Sequence, residues 1–253
     1  MISPLNVFLI GDGPLAKELA ELIRSAGHTL ATFLLDEIEH EPPTEMGAAL
    51  EERLGVKIDI VVEAVIAEPT EKWDAITELD RLLDPEIPFL TAALNASATE
   101  VASWCHAPDR VVGFAMLPPC ADATVVEFMP ALQSGERVIE VARAFWQSLG
   151  RTPVQIADSV GGVLPRVLCN LINEAAFALM EDVAAPEDID LAMQLGTNYP
   201  RGPLAWADII RIEQVVAILE ALGDEFGAEQ YRPAPLLRQY ARAGKRFYPP
   251  IVP

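Results

Sequence analysis

The sequence predicts an α/β protein in two parts, a parallel-sheet domain over residues 1–158 and an all-α domain over residues 159–253. Two patterns support this division. Up to Asp158, short apolar runs alternate with amphipathic helical stretches, which indicates a parallel sheet that helices cover on both faces. Beyond Asp158 the apolar residues recur with helical spacing, which favours helices packed on helices.

The chain opens with a strand, a glycine turn, a helix and a second strand. The apolar run from Asn6 to Ile10 is typical of a buried strand, and residues Lys17 to Ala26 show helical spacing. Gly27 is a typical helix end, and the run from Thr29 to Leu35 predicts the second strand. This order is that of the first half of a nucleotide-binding βαβ unit.

The remaining elements follow from the same periodicities. Further strands are predicted at Ile58–Val65, Pro88–Ala93, Val111–Met116 and Val154–Ala157. Helices of the first domain are predicted at Glu45–Leu54, Thr70–Leu83, Ala98–Trp104 and Arg137–Gly150. Helices of the second domain are predicted at Val163–Val183, from Pro186 onward, at Leu204–Leu222 and at Pro235–Ala243.

Composition excludes several classes of function. The 253 residues carry 18 Lys and Arg against 38 Asp and Glu, a formal charge of −20, and 51% of them are hydrophobic. A chain this apolar has enough material for a core, which excludes disorder of the whole chain. The acidic balance, without clustered Lys or Arg, argues against nucleic acid and anionic membrane surfaces as partners.

The cysteines and the N-terminal stretch predict a cytoplasmic protein. Cys105, Cys120 and Cys169 are too few and too irregularly spaced for a disulfide framework or a zinc site, so no metal is expected. The N-terminal stretch lacks the basic head, apolar run and cleavage site of a signal peptide, and the apolar runs are shorter than a membrane span.

The turn after the first strand has the spacing Gly11-x-Gly13-x-x-Ala16, which is typical of dinucleotide-binding domains of the Rossmann type. Gly11 permits the tight turn, Gly13 lets backbone approach a pyrophosphate, and Ala16 permits close helix packing. Two residues oppose phosphate binding, because Pro14 removes an amide donor and Asp12 adds a carboxylate beside the anion site. The turn therefore either binds NAD or belongs to a Rossmann domain that is retained only for its structural packing.

Several longer motifs occur in a fixed order along the chain. They are Glu63-Ala64 with Lys72, Asn173-Glu174-Ala175, Pro186-Glu187-Asp188-Ile189-Asp190, Tyr199-Pro200-x-Gly202-Pro203-Leu204 and Tyr231-Arg232-Pro233-Ala234-Pro235. With these motifs the chain resembles the L-3-hydroxyacyl-CoA dehydrogenase family. The resemblance implies an NAD-binding Rossmann domain followed by a helical domain that dimerises. It also implies hydride exchange between NAD and the 3-hydroxyl carbon of an acyl-CoA.

The same resemblance assigns catalytic positions, and several of them are altered. The general acid/base His of the family, at the end of a strand, falls on Ala115, whereas the Glu that orients it is retained as Glu127. Three other polar positions of the family fall on Leu94, Pro118 and Pro165. Because Ala, Leu and Pro side chains neither exchange a proton nor hydrogen-bond a ketone, we expect weak or altered activity.

For the cofactor, the resemblance implies contacts from the glycine turn and from the second and third strands. The predicted residues are Gly11, Asp12, Gly13, Pro14, Leu15, Asp36, Glu63, Ala64 and Lys72. The acid that binds the ribose in this family falls on Leu34, so Asp36 either takes that role or is the solvated end of a strand. The short acidic segment at residues 36–57 replaces the family's longer CoA-binding arm and argues against CoA binding.

Two hypotheses of function follow. The first is an NAD-dependent 3-hydroxyacyl-CoA dehydrogenase-like oxidoreductase that acts on a 3-hydroxyacyl or related hydroxy acid. The second is a non-catalytic dimer that binds a nucleotide or acyl ligand, or that partners an active enzyme. Alternatives also stay open for Glu127 (a base or a paired carboxylate), Cys120 (a nucleophile or an inert thiol) and Arg201 (a contact for an acidic ligand or a surface residue).

Overall fold

The computed structural model describes residues 3–37 and 57–249, so the helix predicted at Glu45–Leu54 lies outside the described residues. The chain divides into two compact units, one that ends at Gly162 and one that begins at Val163. The first unit contains a sheet with helices, and the described elements of the second are helices. The predicted fold class is therefore confirmed.

Seven strands of the described residues form one sheet in the order β2-β1-β3-β4-β5-β6-β7. Their bounds are β1 (Asn6–Gly11), β2 (Thr29–Leu34), β3 (Ile60–Ala64), β4 (Phe89–Ala92), β5 (Val111–Ala115), β6 (Val125–Pro130) and β7 (Thr152–Gln155). Every residue of β3, β4 and β5 is buried, as expected for strands that helices cover on both faces.

The prediction is wrong at one place in the sheet, because it contains no strand at β6 and makes all neighbours parallel. β6 runs antiparallel to β5, whereas the other neighbouring pairs are parallel. The connection over residues 116–124 is shorter than the dozen or so residues that a parallel crossover needs, so the chain turns back on itself. This reversal places Glu127 directly opposite Ala115.

Four helices lie between these strands in the part of the first unit that the structure describes. They are α1 (Gly13–Ser25), α2 (Pro69–Leu82), α3 (Ala98–Trp104) and α4 (Glu136–Ser148). The chain leaves β1 through α1 toward β2, and it leaves β3 through α2 in the opposite direction toward β4. Right-handed crossovers in opposite directions put α1 and α2 on opposite faces of the sheet. The loops after β1 and β3 therefore border a crevice, which is the usual ligand position in such sheets.

The second unit contains α5 (Leu164–Met180), α6 (Pro186–Thr197), α7 (Pro203–Ile210), α8 (Ile212–Phe226), α9 (Ala228–Tyr231) and α10 (Pro235–Ala243). Four of these helices have a proline in their first turn. Backbone N–H groups in the first turn have no acceptor within the helix, so the lack of an N–H in proline costs no helical hydrogen bond there. The single helix predicted at Leu204–Leu222 is wrong, because Arg211 has a φ of 82° and separates α7 from α8.

Two buried carboxylates join the helices of the second unit. Asp190 of α6 accepts hydrogen bonds from the first-turn amides of α7, those of Leu204 (2.8 Å) and Ala205 (2.9 Å), and from the Tyr248 hydroxyl at 2.9 Å. Asp208 of α7 accepts from two backbone amides of the segment after α10. These contacts explain why acidic residues recur inside the motifs of this apolar unit.

His28 is a buried polar anchor in the first unit. Its Nδ1 accepts from the Leu5 amide at 3.1 Å, so the ring proton lies on Nε2, which donates to Ser148 Oγ at 2.8 Å. The Ser148 hydroxyl donates to the Phe145 carbonyl at 2.6 Å. These bonds need the neutral imidazole, and burial lowers the pKa of His28 below its ordinary value.

We expect the free energy of unfolding to fall as the pH drops below about 6.5, the ordinary pKa of histidine. Below that pH the His28 side chain of the unfolded protein is protonated more readily than that of the folded protein, because its pKa is lower in the folded state. The free energy of unfolding therefore rises with pH between the folded and the unfolded pKa. Thermal unfolding at about pH 5 and about pH 8 checks this. The His28→Asn variant should be less stable at the higher pH and should lose less on acidification. An equal acid loss in both proteins would contradict the assignment.

Candidate functional site

The turn between β1 and α1 has the glycine geometry that a dinucleotide requires. Gly11 ends β1 at a point where a Cβ would lie 2.7 Å from both Ala16 Cβ and the Ala64 carbonyl oxygen. Gly13, with a φ of 64°, adopts the left-handed conformation that favours glycine and begins α1. The backbone therefore turns tightly from the strand into the helix, and the N-terminus of α1 faces the crevice. Pro14 and Leu15 follow in this first turn, and the Leu15 side chain is completely buried in the core.

Asp12 places its carboxylate on the loop after β3, which we call the crevice loop (residues 65–68). Oδ1 accepts from the Ile66 amide at 2.9 Å, and Oδ2 accepts from the Ala67 amide at 2.8 Å. The residue is only 5% exposed. Burial raises the pKa of the Asp12 carboxyl, although the two amide bonds act to lower it.

Other side chains bond the rest of the crevice loop. The Val65 amide donates to Glu63 Oε1 at 2.6 Å, and the Val65 carbonyl accepts from Lys72 Nζ at 3.2 Å. Asn95 Nδ2 donates to the Ile66 carbonyl at 2.9 Å. The first three amides of the crevice loop are therefore all bonded to carboxylates of the chain itself.

Glu63 of β3 and Lys72 of α2 form a buried ion pair, and both side chains also make hydrogen bonds to β4. Lys72 Nζ lies 2.7 Å from Glu63 Oε2 and 3.0 Å from Oε1, and neither side chain is more than 1% exposed. Lys72 also donates to the Ala92 carbonyl at 3.0 Å, and the Thr91 hydroxyl donates to Glu63 Oε2 at 2.5 Å. For this pair we propose a positioning role, because its polar atoms hold the strand ends around the crevice.

The predicted ribose acid lies just beyond the end of β2. Leu34 pairs with Gly11 across the sheet, and Asp36 follows in a short 3₁₀ turn. Asp36 Oδ2 accepts from Lys17 Nζ at 3.0 Å, with the Asp36 side chain 24% exposed and the Lys17 side chain 45% exposed. Exposed ion pairs are worth only about 0.2–1 kcal/mol, so a ribose hydroxyl can compete for this carboxylate.

The predicted acid/base positions meet at the adjacent ends of β5 and β6. Ala115 lies opposite Glu127 in the antiparallel pair. Gly162, with a φ of 58°, packs against both residues, since a Cβ built on it would lie 3.0 Å from Ala115 Cβ and closer still to Glu127 Oε2. A side chain at position 162 would therefore collide with both residues, and only glycine fits beside this pair. The sequence patterns do not identify Gly162, although the Gly161-Gly162 pair is a signal of close backbone approach.

The other altered catalytic positions are placed as follows. Leu94 is completely buried, Pro118 is joined to Pro119 by a cis peptide bond, and Pro165 lies in the first turn of α5. Asn95, next to Leu94, is 9% exposed, and its Oδ1 is buried without a hydrogen-bond partner in the described part of the chain.

Cys120 lies in the connection between β5 and β6. Burial and the neighbouring Glu18 carboxylate raise the pKa of its thiol well above the ordinary value. Its backbone amide donates to Glu18 Oε2 at 2.5 Å, which ties this connection to α1. Since the thiolate is the nucleophilic form, these surroundings favour the inert-thiol interpretation. Arg201 lies between α6 and α7 and is partly buried, and its role stays a prediction.

Within residues 3–37 and 57–249, no group of three or more His, Cys, Asp or Glu side chains is arranged to hold a metal ion. In the same part of the chain, no helix combines the length and the apolar character that a membrane crossing requires.

A sheet whose strand order reverses between β1 and β3, with a glycine turn at that point, defines a protein of the Rossmann dinucleotide-binding class. Residues 44–159 match the family model of the 3-hydroxyacyl-CoA dehydrogenase NAD binding domain, and residues 161–246 match that of the 3-hydroxyacyl-CoA dehydrogenase C-terminal domain. The chain belongs to the 3-hydroxyacyl-CoA dehydrogenase family, which confirms the resemblance seen in its motifs.

Individual relatives support the same conclusion. The chain is 37% identical over 186 residues to a probable 3-hydroxybutyryl-CoA dehydrogenase of Bacillus subtilis, a match that covers 74% of this chain and 65% of the relative. It is 34% identical over 188 residues to a 3-hydroxybutyryl-CoA dehydrogenase of Clostridioides difficile, covering 74% of this chain and 67% of the relative. The matches thus span about two thirds of these relatives. The crystal structure of (S)-3-hydroxybutyryl-CoA dehydrogenase from Ralstonia eutropha has a TM-score of 0.72 at 27% identity, covering 96% of this chain and 95% of that one.

NAD, which these comparisons support as the cofactor, fits the residues of the crevice. Gly11 and Gly13 keep the backbone turn free of side chains where a pyrophosphate would approach. The orphaned Asn95 Oδ1 adds a buried acceptor that an amide or hydroxyl group of NAD can satisfy. The match to the NAD-binding model begins at residue 44, beyond the glycine turn, and the fit of the turn to NAD rests on its geometry.

We expect the Lys72→Met variant to lose about 3–5 kcal/mol in the free energy of unfolding, because Glu63 would remain buried without its countercharge. Urea unfolding followed by circular dichroism measures the loss. The double variant Glu63→Gln/Lys72→Met serves as the control and should recover a large part of it. A loss below about 1 kcal/mol in the single variant would contradict a structural role for the pair.

Proposed function

We propose that this protein is an NAD-dependent 3-hydroxyacyl-CoA dehydrogenase-like oxidoreductase with weak or altered activity on a 3-hydroxyacyl or related hydroxy-acid substrate. The observation that carries the proposal is the pairing of Ala115 with Glu127 at the adjacent ends of β5 and β6. Family membership and the retained Glu127 support dehydrogenase chemistry, whereas Ala115 in the place of the family's His supports a reduced rate.

The proposed cofactor contacts come mainly from backbone. The N-terminus of α1 and the Gly13 backbone hold the pyrophosphate, and Asp36 accepts from a ribose hydroxyl. Asn95 Oδ1 accepts from an amide or hydroxyl of the cofactor. When bound, NAD supplies the group that accepts or donates the hydride.

Proton transfer is the step that this chain supports least well. Oxidation of a 3-hydroxyl group needs a base for the hydroxyl proton, and a well-placed acid/base contributes about 10²–10⁴-fold to the rate. The Ala115 methyl group cannot exchange a proton. The Glu127 carboxylate lies directly across the strand pair, and we propose it as the remaining acid/base.

A second candidate function, a non-catalytic relative that binds a nucleotide or acyl ligand, is favoured by the packing of Gly162. Because Gly162 approaches both Ala115 and the Glu127 carboxylate, it limits the room for a substrate hydroxyl beside Glu127. Binding of NADH without turnover would support this candidate over the first.

Reduction of acetoacetyl-CoA, followed through the absorbance of NADH, tests the proposed chemistry. We expect slow turnover that falls by about 10²-fold or more in Glu127→Gln, because the amide cannot exchange the proton. Glu136→Gln, which removes an exposed carboxylate at the start of α4, is the matched control and should leave turnover unchanged. Undiminished turnover in Glu127→Gln would contradict the assigned role.

Restoring the family's imidazole tests whether the surroundings of position 115 still suit it. We expect Ala115→His alone to stay far below full activity, because Leu94, Pro118 and Pro165 still leave the substrate oxygen unheld. Robust acetoacetyl-CoA reduction by this single variant would refute that explanation.

We also propose that the protein forms a homodimer through its helical unit. Large apolar side chains are exposed on this unit in the single chain, and they include Val163, Leu164, Val167, Val183, Leu191 and Leu195. Leu191 is 50% exposed and Leu195 79% exposed, and their spacing of four puts them on one face of α6. Such a concentration of exposed apolar surface is typical of an interaction site.

Sedimentation of a Leu195→Glu variant at micromolar concentration checks the dimer. We expect a stable dimer for the unaltered protein and a shift toward monomer for the variant, because a carboxylate would be buried in an apolar interface. The control is Leu132→Glu, which alters a 90% exposed leucine of the first unit and should leave the dimer intact. A monomeric unaltered protein would refute the proposal.

A further inference from the structure

We infer that Asp12 sets how tightly this protein binds a dinucleotide: its carboxylate occupies the two crevice-loop amides that would otherwise face a ligand, and a cofactor must displace it. The inference rests on the proposed binding of NAD at this crevice. It assigns Asp12 a role opposed to that of an ordinary cofactor contact.

The position of Asp12 is the first argument. The residue lies between Gly11 and Gly13, at the point where the strand order reverses, and its two oxygens reach across to Ile66 and Ala67 on the other side of the crevice. A ligand in such a crevice approaches the loops after both strands. Asp12 therefore bridges the two walls between which a dinucleotide would pass.

The bonding of the crevice loop is the second argument. Glu63 already accepts from the Val65 amide, so Asp12 takes up the next two donors along the loop. At 2.9 Å and 2.8 Å, these are charge-assisted bonds of normal length, and Asp12 is almost fully buried. A phosphate or ribose oxygen can use these amides only after the carboxylate has left them.

Negative charge near Asp12 also supports the inference, because the crevice loop leads into the acidic N-terminus of α2. Glu68 directly precedes α2, without a side-chain hydrogen bond to its first turn, and Glu71 lies in that turn. Burial together with Asp12 and Glu68 raises the pKa of the Glu71 carboxyl. An anionic pyrophosphate at this place would be repelled by Asp12 in addition to competing with it.

The expected change in NADH affinity depends on how often the Asp12 carboxylate leaves the two amides. If only the minor state with Asp12 displaced binds a dinucleotide, the apparent dissociation constant is the intrinsic one divided by the population of that state. Removing the carboxylate removes this competition. We therefore expect Asp12→Ala to bind NADH about tenfold more tightly or better.

The experiment is a fluorescence titration of the full chain with NADH, which reads binding without any turnover. Asp12→Ala leaves two amides without an acceptor and lowers stability, so thermal unfolding of each free protein accompanies the titration. Asp12→Asn keeps one acceptor oxygen and should therefore lose less stability than Asp12→Ala. Its gain in NADH affinity should be smaller, about threefold. Glu71→Gln is the matched control, because it removes a neighbouring negative charge but frees neither amide, and it should change affinity by about twofold or less.

The possible results separate the inference from the proposed function. Tighter binding by Asp12→Ala and Asp12→Asn, without a similar gain in Glu71→Gln, supports the inference. Binding by the unaltered protein with equal or weaker binding by both Asp12 variants overturns it and leaves the proposed function in place. An equal gain in NADH affinity in Glu71→Gln would mean that negative charge alone weakens binding. That result overturns the inference that Asp12 acts by occupying the two amides. No NADH binding by any of the four proteins overturns both.

Discussion

Buried backbone amides need acceptors, and the crevice loop of this protein finds them within its own chain. Glu63 bonds the Val65 amide, Asp12 bonds the next two, and Asn95 holds the Ile66 carbonyl. The Lys72 ammonium compensates the charge of Glu63. The ends of β1, β3 and β4 are thereby fixed relative to one another, and this arrangement determines the shape of the crevice that the glycine turn borders.

Packing alone requires glycine at positions that also border the proposed site. Gly11 is required by the close approach of Ala16 and Ala64, which is a matter of packing and holds whether or not a ligand binds. At the adjacent ends of β5 and β6, a Cβ on Gly162 would collide with Ala115 and Glu127, so packing alone requires glycine there as well. These glycines are therefore required by the fold itself, and they do not by themselves establish a reaction.

Local patterns predicted the parts of the structure that depend on local physics. Apolar periodicity located β1, β3 and α1, and the order of motifs identified the family. The direction of β6 depends on how its short connection folds back, and the break at Arg211 lies inside an unbroken apolar pattern.

The candidate site was predicted less completely, because its decisive contacts are remote in sequence. Asp12 was predicted as a residue beside the anion site, but its bonds join residues 54 and 55 positions apart. Likewise, no spacing rule brings Gly162 onto Ala115. Pairings of this kind follow from the assembled sheet and from the loops that return to it.

Amide hydrogen exchange of Ile66 and Ala67, followed by NMR in the free protein, tests the central claim most directly. The claim is that the Asp12 carboxylate holds these two amides. It predicts slow exchange at both positions in the unaltered protein and clearly faster exchange in Asp12→Asn, measured against core amides of β3 that stay slow in both. Fast exchange of Ile66 and Ala67 in the unaltered protein, at rates unaffected by the substitution, would contradict it.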